Sequence, residues 1–415
     1  MRKLTLTLVV FGWLLAGMLP AAANEMSVLM PELLNLPAPS WVKPGGSITH
    51  HNGAASVPGS AEYYWQNENE KEERFEGRGA KDKGKIYSHS NQPGFGGEGY
   101  AQVDVVAMEG KTVAVNLRLW AKHLGNLVPK TDLGAATIGV AGPAGCPGNW
   151  WVNPAVLKEA VARYGRQGGG AMVRDVRVFA TPCKAANRTY ETIRFEAATG
   201  GGHVGRNYDV LTGLLVYSDS TATSAEKAYS WSGDSSALSF SELEGTRQIT
   251  IPWAGGEPPA WIASVRRLVF ECTYTVLTPG VVPFRQPWRV TMDVTGRGRT
   301  WLQYRASIAI TSLGGLPPIR SQYELVSGIA QIGGLWVPTG AGRGVQVGTV
   351  LDRNPVLGTN VTITQNSGNT LIVTEAGRDH TSRWTYDTNT GALQSLQQEV
   401  RPKYLHAELR RVQMQ

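Results

Sequence analysis

Few residues in this sequence have both the type and the spacing that catalysis requires. His380 follows Asp379 in the segment EAGRDHTSRW, and a histidine beside a carboxylate can belong to a hydrolytic triad. The chain contains no G-x-S-x-G nucleophile elbow, no H-E-x-x-H zinc motif and no P-loop. We therefore predict no catalytic residue and no cofactor. Whether the chain is an enzyme stays uncertain, and a non-enzymatic role is favoured.

The histidines and cysteines do not predict a metal site. His50 and His51 are adjacent, and adjacent residues of a strand point to opposite faces, which prevents joint chelation. The three cysteines, Cys146, Cys183 and Cys272, are too widely spaced for a metal-ligand motif. Cys146 and Cys183 could form a disulfide, which an exported protein permits. Cys272 lies in the apolar run LVFECTYTVL and is expected to be a buried thiol.

The 13 tryptophans offer a second kind of chemistry, because an exposed indole can stack on a sugar or an apolar ligand. Trp151 and Trp336 recur in similar segments, Asn149-Trp-Trp-Val-Asn-Pro and Gly334-Leu-Trp-Val-Pro, which favours packing for both. Trp150 has no counterpart in the second segment. It is therefore the one predicted binding residue.

An internal repeat gives the clearest structural signal. The motif Tyr-Asp-x-x-Thr-Gly-x-Leu occurs twice in the same order, with Tyr208, Asp209 and Gly213 in the first copy and Tyr386, Asp387 and Gly391 in the second. The Asp can accept turn N–H groups and the Gly can adopt a positive φ, so each motif predicts a structural hairpin. The motif resembles hairpins of curved-sheet periplasmic carriers of lipids and lipoproteins, which implies a curved sheet.

Strand-length runs rich in β-branched residues surround these motifs, for example TVAVNLRLW, VRDVRVFA and NTLIVTEA. We predict a mainly β fold made of two related antiparallel β modules, as curved sheets or half-barrels. One short helix is predicted in the first module, where Asn153 can cap, Pro154 fits the first turn and Gly165 can end the helix.

The N-terminus predicts export. Arg2 and Lys3 precede an apolar run, and Ala21 and Ala23 suit a signal peptidase, so residues 1–23 are expected to be removed. The apolar run is too short for a spanning helix, and no later stretch could span a membrane. The net charge of +7 includes the two basic residues of this segment, and no basic cluster suits nucleic acid.

The predicted organisation has five parts. They are a signal peptide (1–23), an extended polar N-terminal arm (24–94), β module 1 (95–230), a connecting β segment (231–284) and β module 2 (285–415).

These features favour an exported, periplasmic or extracellular, non-enzymatic β protein. It would bind an apolar ligand, a lipid or a protein partner on a sheet face, with an unknown apolar ligand or an envelope protein as partner. Two alternatives stay open: an extracellular hydrolase acting on cell-surface polymer, and a structural component of the envelope.

Overall fold

Two large antiparallel sheets form the structure, a computed structural model, and they confirm the predicted mainly β fold. Its described residues are 30–56, 63–65, 86–88, 99–123, 126–129, 138–147, 150–164, 170–173, 175–199, 202–224, 235–276, 284–310, 319–400 and 405–415. The predicted signal peptide lies outside them. No helix within these ranges has the length and apolar character needed to cross a membrane.

The first sheet contains eleven strands. They are β1 (Gly46–Ser56), β4 (Gly99–Glu109), β5 (Thr112–His123), β6 (Asn126–Pro129), β7 (Ile138–Pro143), β8 (Ala171–Val173), β9 (Val176–Ala185), β10 (Arg188–Thr199), β11 (Gly202–Asp209), β12 (Leu215–Ser224) and β13 (Ser235–Gln248). Their order is β6-β5-β4-β1-β13-β12-β11-β10-β9-β8, with β7 also paired to β5. A separate hairpin joins β2 (Tyr63–Trp65) to β3 (Ile86–Ser88).

The second sheet contains ten strands. They are β14 (Arg267–Val276), β15 (Phe284–Arg297), β16 (Trp301–Ile310), β17 (Ile319–Gly328), β18 (Val350–Asn354), β19 (Thr359–Ser367), β20 (Thr370–Ala376), β21 (His380–Asp387), β22 (Leu393–Val400) and β23 (Leu405–Met414). Their order is β17-β16-β15-β14-β23-β22-β21-β20-β19-β18.

The two sheets share one topology. In each sheet, the first and last strands pair at the centre, β1 with β13 and β14 with β23. The remaining strands follow on either side of this pair, and neither sheet is closed. We call β1 to β13 the first copy and β14 to β23 the second copy. The repeat therefore extends over a whole sheet in each copy.

Several strands lie outside the ranges predicted for the modules. β1 belongs to the first sheet although its residues fall in the range 24–94, and the range 231–284 supplies β13 to the first sheet and β14 to the second. The division into domains remains a proposal. These strands favour a boundary near residue 249.

The segment between β7 and β8 in the first copy, and between β17 and β18 in the second, contacts the repeated hairpin; we call it the crossing segment. Trp151 forms an isolated bridge with Leu214, and Trp336 forms one with Ala392. The next residue donates its backbone N–H to the hairpin glycine in both copies: the N–O distance is 2.8 Å from Val152 to Gly213 and from Val337 to Gly391. Trp151 and Trp336 are fully buried, as packing residues are expected to be.

The crossing segment of the first copy contains α1 (Pro154–Tyr164), the only α-helix among the described residues. The side-chain oxygen of Asn153 accepts a hydrogen bond from the N–H of Ala155 at 2.9 Å, which caps the helix. Val156, Leu157 and Ala160 are buried against the first sheet. Gly165, predicted to end the helix, lies outside the described residues.

Replacing Asn153 with alanine is expected to lower the free energy of unfolding by about 1–2 kcal/mol, because both side-chain functions of this residue are lost. Besides capping the helix, its amide Nδ2 donates to the carbonyl of Pro37 at 2.9 Å. Asn153→Asp keeps the capping oxygen and should cost less. Urea unfolding measures both changes, with exposed Lys158→Ala as the control; equal stability of all three variants would contradict the cap.

Candidate functional site

The repeated hairpins use their aspartates inside the turns. Asp209 Oδ2 accepts the backbone N–H of Thr212 at 2.9 Å and its hydroxyl at 2.5 Å. Asp387 accepts the N–H of Asn389 at 3.0 Å and the hydroxyl of Thr390 at 2.9 Å. Both carboxylates are therefore engaged in local turn geometry, which supports a structural role for them.

A duplicated tryptophan, which the sequence analysis did not indicate, forms a hydrogen bond with each hairpin. The indole N–H of Trp41 donates to the carbonyl of Thr212 at 2.7 Å, and the indole N–H of Trp261 donates to Thr390 at 2.7 Å. Each Trp follows a proline by two positions, in Pro39-Ser40-Trp41 and Pro259-Ala260-Trp261. That Pro-x-Trp pattern is the signal that could have identified the pair.

A buried cluster of charged and polar groups lies where the two copies meet. We call it the polar seam and define it by Gln102, Asp104, Arg118 and Arg247 of the first copy and Asp352, Asn354, Glu375 and His380 of the second. No single stretch of sequence contains it.

Strand alternation explains how the seam forms. On β4, Val103 and Val105 pack in the core of the first copy, so Gln102 and Asp104 point to the opposite, outer face. On β20, Glu375 follows core residue Val373 by two positions and therefore lies at the end of the inner face of the second sheet. The outer face of the first sheet thus covers one end of the inner face of the second.

Arg118 is the centre of the seam. Its Nη1 donates to Glu375 Oε2 at 2.7 Å, and its Nε lies 3.5 Å from Asp104 Oδ2. The side chain of Arg118 is only 12% exposed and that of Glu375 only 2%. Because buried charges are costly unless paired, these ion pairs favour one relative placement of the copies.

Two further contacts hold the same junction. Arg247 forms a bidentate pair with Asp352, at 2.9 Å from Nε to Oδ1 and 2.9 Å from Nη2 to Oδ2. Asn354 Nδ2 donates to Gln102 Oε1 at 3.1 Å, and the amide of Gln102 in turn donates to Asp104. The seam is therefore bridged at three separate points along the junction.

The backbones of the two copies also approach each other closely at the junction. A Cβ built on Gly139 of β7 would lie 2.3 Å from the backbone nitrogen of Val326 on β17. The N–H of Ala330 donates to the carbonyl of Val106 at 2.9 Å. The edge of the second sheet consequently packs directly on the first copy.

The seam brings carboxylates together, but the most deeply buried of them, Glu375, is not suited to act as a general acid. Burial alone would raise the pKa of Glu375, but Arg118 and His380 outweigh it and lower that pKa to about 2. Asp104 and Asp352 lie against Arg118 and Arg247. Glu375 therefore stays ionised at neutral pH and cannot supply the proton that glycoside hydrolysis requires.

His380 does not pair with Asp379 in a triad-like arrangement. Its Nε2 lies 3.1 Å from Glu375 Oε1, while Asp379 lies 3.9 Å from Arg378. Ser382, the next residue on the same face, accepts a hydrogen bond from Gln398. His380 Nδ1 has no hydrogen-bond partner within the described ranges, so no nucleophile–base hydrogen bond is present there.

The other predicted site residues lie in the first copy. Trp150 is partly buried against the core, and its carbonyl accepts the N–H of Leu215 at 3.0 Å. Cys146 is buried in the core cluster that contains α1, whereas Cys183 is partly buried against a different cluster. Ligand binding by Trp150 and a disulfide between the two cysteines both stay predictions. In the described part of the chain, no group of three or more His, Cys, Asp or Glu could hold a metal ion.

His50 and His51 point to opposite faces, as strand alternation predicts. His50 is buried and its Nε2 lies 3.1 Å from the carbonyl of Leu215, so this nitrogen carries the proton. The ring of His51 instead lies 5.2 Å from that of Tyr100. Burial lowers the pKa of His50 to about 4, although the bond to Leu215 opposes the shift.

Acidification should destabilise the protein through His50. The unfolded chain gains a proton near pH 6.5, while the folded chain gains it only near pH 4, so stability falls between these values. The expected loss is roughly 3 kcal/mol, at about 1.4 kcal/mol per pH unit. His50→Gln keeps a donor and should flatten the pH dependence of urea unfolding, with His51→Gln as the control. An unchanged slope in His50→Gln would contradict the assignment.

No protein-family model matches the chain, and no curated protein matches it in sequence. Among solved structures, MucB in complex with MucA(peri) is 11% identical over 94% of both chains, with a TM-score of 0.20. A DUF3598-family protein of unknown function from Nostoc punctiforme is 10% identical over 92% of this chain and 97% of its own, with a TM-score of 0.13. Transferrin binding protein B from Neisseria meningitidis is 8% identical over 91% of this chain and 78% of its own, with a TM-score of 0.14. At these TM-scores the likenesses carry no argument about function.

Proposed function

We propose that this chain is an exported, non-enzymatic β protein that binds a protein partner or an apolar ligand on a sheet face. Export is supported by the signal-like sequence of residues 1–23. The non-enzymatic role is supported by the polar seam, whose carboxylates are all paired with arginines.

The buried, charge-paired seam is the observation that carries the proposal. Glu375 is held by Arg118 and His380, and Asp352 is held by Arg247, so these groups join the copies rather than face a substrate. The inner faces of both sheets are filled by the chain's own core, including Tyr208 and Tyr386. Binding is therefore assigned to outer faces, to sheet edges and to inner-face residues that the core leaves half-buried.

Native mass spectrometry of the processed protein, purified from the envelope of its own host, tests this function. We expect a copurified protein or apolar ligand at a fixed stoichiometry, and equal recovery with Glu375→Gln where that variant folds. The same preparations are assayed on cell-wall and surface polymers. Turnover that Glu375→Gln or His380→Gln abolishes, while exposed Arg378→Gln leaves it intact, would replace the proposal with the hydrolase alternative.

A further inference from the structure

The two copies differ in one matched row of four residues on their inner faces. In the first copy, Val204, Ala197, Val176 and Val173 lie directly opposite one another across β11, β10, β9 and β8. We call these four residues the apolar row. Residues paired in this way share one face of the sheet.

The second copy carries polar residues at three of the four matched positions. The row across β21, β20, β19 and β18 consists of Ser382, Glu375, Val361 and Asp352. Ser382 and Glu375 follow Val204 and Ala197 by the same 178 positions that separate Tyr386 from Tyr208. The apolar row is therefore the first-copy counterpart of part of the polar seam.

In the second copy this position is covered by polypeptide. Arg118 and Arg247 cover the row through Glu375 and Asp352, as described above. The edge strand β18 is covered as well, because the N–H of Thr250 donates to the carbonyl of Leu351 at 3.0 Å. Ile249 and Ile251, on either side of Thr250, pack on the second-copy core. An extended segment with alternate apolar side chains thus lies against this edge.

In the first copy the apolar row is less covered. Val173, Ala197 and Val204 are only half-buried, and Met172 on the edge strand β8 is 67% exposed. Within the described ranges, no backbone group outside β9 is hydrogen-bonded to β8. An edge strand without such cover is a template for the addition of another strand.

We propose that the edge of β8 and the apolar row together bind an extended segment of a protein partner. The segment adds a strand to β8 through backbone hydrogen bonds and places apolar side chains, at alternate positions, on the row. The partner's side chains are apolar because the row carries no charge to pair with a charged ligand. This site rests on the proposed binding function and gives it a location.

A second copy of this chain fits the site poorly. If the packing of the first copy on the second were repeated between molecules, the outer face of the second sheet would cover the apolar row. That face exposes Glu271, Arg289, Arg383 and Arg410. Covering the row with three arginines and one glutamate would bury an excess of positive charge that the row cannot neutralise, which is costly.

The probe is an acetylated and amidated peptide of residues 248–253, QITIPW, because Thr250 of this segment already contacts β18 within the chain and the peptide carries no charge. It is titrated into the processed full-length protein carrying methyl-labelled methionine, with the Met172 signal identified by Met172→Leu. We expect a saturable shift of the Met172 signal. A peptide that leaves this signal unmoved overturns the proposal.

Matched variants locate the site. Ala197→Glu places a charge in the row and should weaken binding about tenfold or more, whereas Ala198→Glu, on the exposed opposite face, should not. Equal binding by the two variants overturns the site. Because Ala197→Glu could also unfold the first copy, a peptide N-methylated at the residue equivalent to Thr250 provides a test on the unaltered protein. It lacks the edge donor and should bind about tenfold more weakly.

Two outcomes separate this site from the wider function. If the peptide binds only after residues 24–29 are deleted, the chain's own N-terminal residues compete for the edge and the partner proposal falls. If a copurified partner is retained equally by a folded Ala197→Glu variant, the binding function stands and this location is wrong.

Discussion

Replacing Arg118 with methionine is expected to lower the free energy of unfolding by about 3–5 kcal/mol, because it leaves Glu375 and Asp104 buried without their guanidinium partner. Glu375 is 2% exposed in its side chain, so solvent cannot replace the lost interaction. The pKa of Glu375 should also rise from about 2, because its main opposing charge is removed. Urea unfolding at neutral pH measures the loss.

An exposed ion pair provides the matched control for Arg118→Met. Arg305 and Glu324 have side chains 54% and 37% exposed, with 2.9 Å between Nε and Oε1, so Arg305→Met should cost at most about 1 kcal/mol. Adding Glu375→Leu to Arg118→Met should recover part of the loss, because the more deeply buried of the two carboxylates that lose their partner is then absent. A loss below about 1 kcal/mol for Arg118→Met would contradict a tightly coupled seam.

The seam shows where prediction from the sequence ended. Arg118 lies in TVAVNLRLW, which the alternation identifies correctly as a strand, and the same alternation places Arg118 on the outer face. Its partner Glu375 is 257 positions away in the other copy. Which surface covers an outer face depends on how two sheets pack, and a local pattern does not contain that information.

The carboxylate partner of His380 shows a different limit of prediction from the sequence. Asp379 is the sequence neighbour of His380, but sequence neighbours near a strand point away from each other. Glu375 lies across the β20–β21 hairpin, and its Oε1 is 3.1 Å from His380 Nε2. Knowledge of the hairpin register would have nominated Glu375, and the sequence alone left that register open.

The central strand β1 was missed for a compositional reason. Its sequence, GSITHHNGAAS, has two glycines, two alanines and few β-branched residues, which predicts a strand poorly. Its position between β4 and β13 supplies two neighbouring strands, so tertiary pairing outweighs the weak local preference. The hairpin motifs, in contrast, carry their own turn chemistry, so the sequence alone predicts a turn at each of them.

The hairpin glycines give the second large prediction. Gly213 has φ +77°, and a Cβ added there would lie 1.8 Å from the carbonyl oxygen of Val152 in the crossing segment. Gly213→Ala is therefore expected to cost about 1–2 kcal/mol for the left-handed backbone and about 1–3 kcal/mol more for the displaced segment. Gly391→Ala should behave alike, because its Cβ would lie 2.3 Å from the carbonyl oxygen of Val337.

Gly368 is a control that separates the cost of the left-handed backbone from the cost of displacing the crossing segment. It has φ +59° but open space around its Cβ position, so Gly368→Ala should lose only the backbone part, about 1–2 kcal/mol. Hydrogen exchange gives a local readout, since Val152 donates its N–H to Gly213 and Val337 donates to Gly391. Gly213→Ala should speed exchange at Val152 more than at Val337, and Gly391→Ala should do the reverse. If both variants cost no more than Gly368→Ala, the crossing segments would not be held by these hairpins.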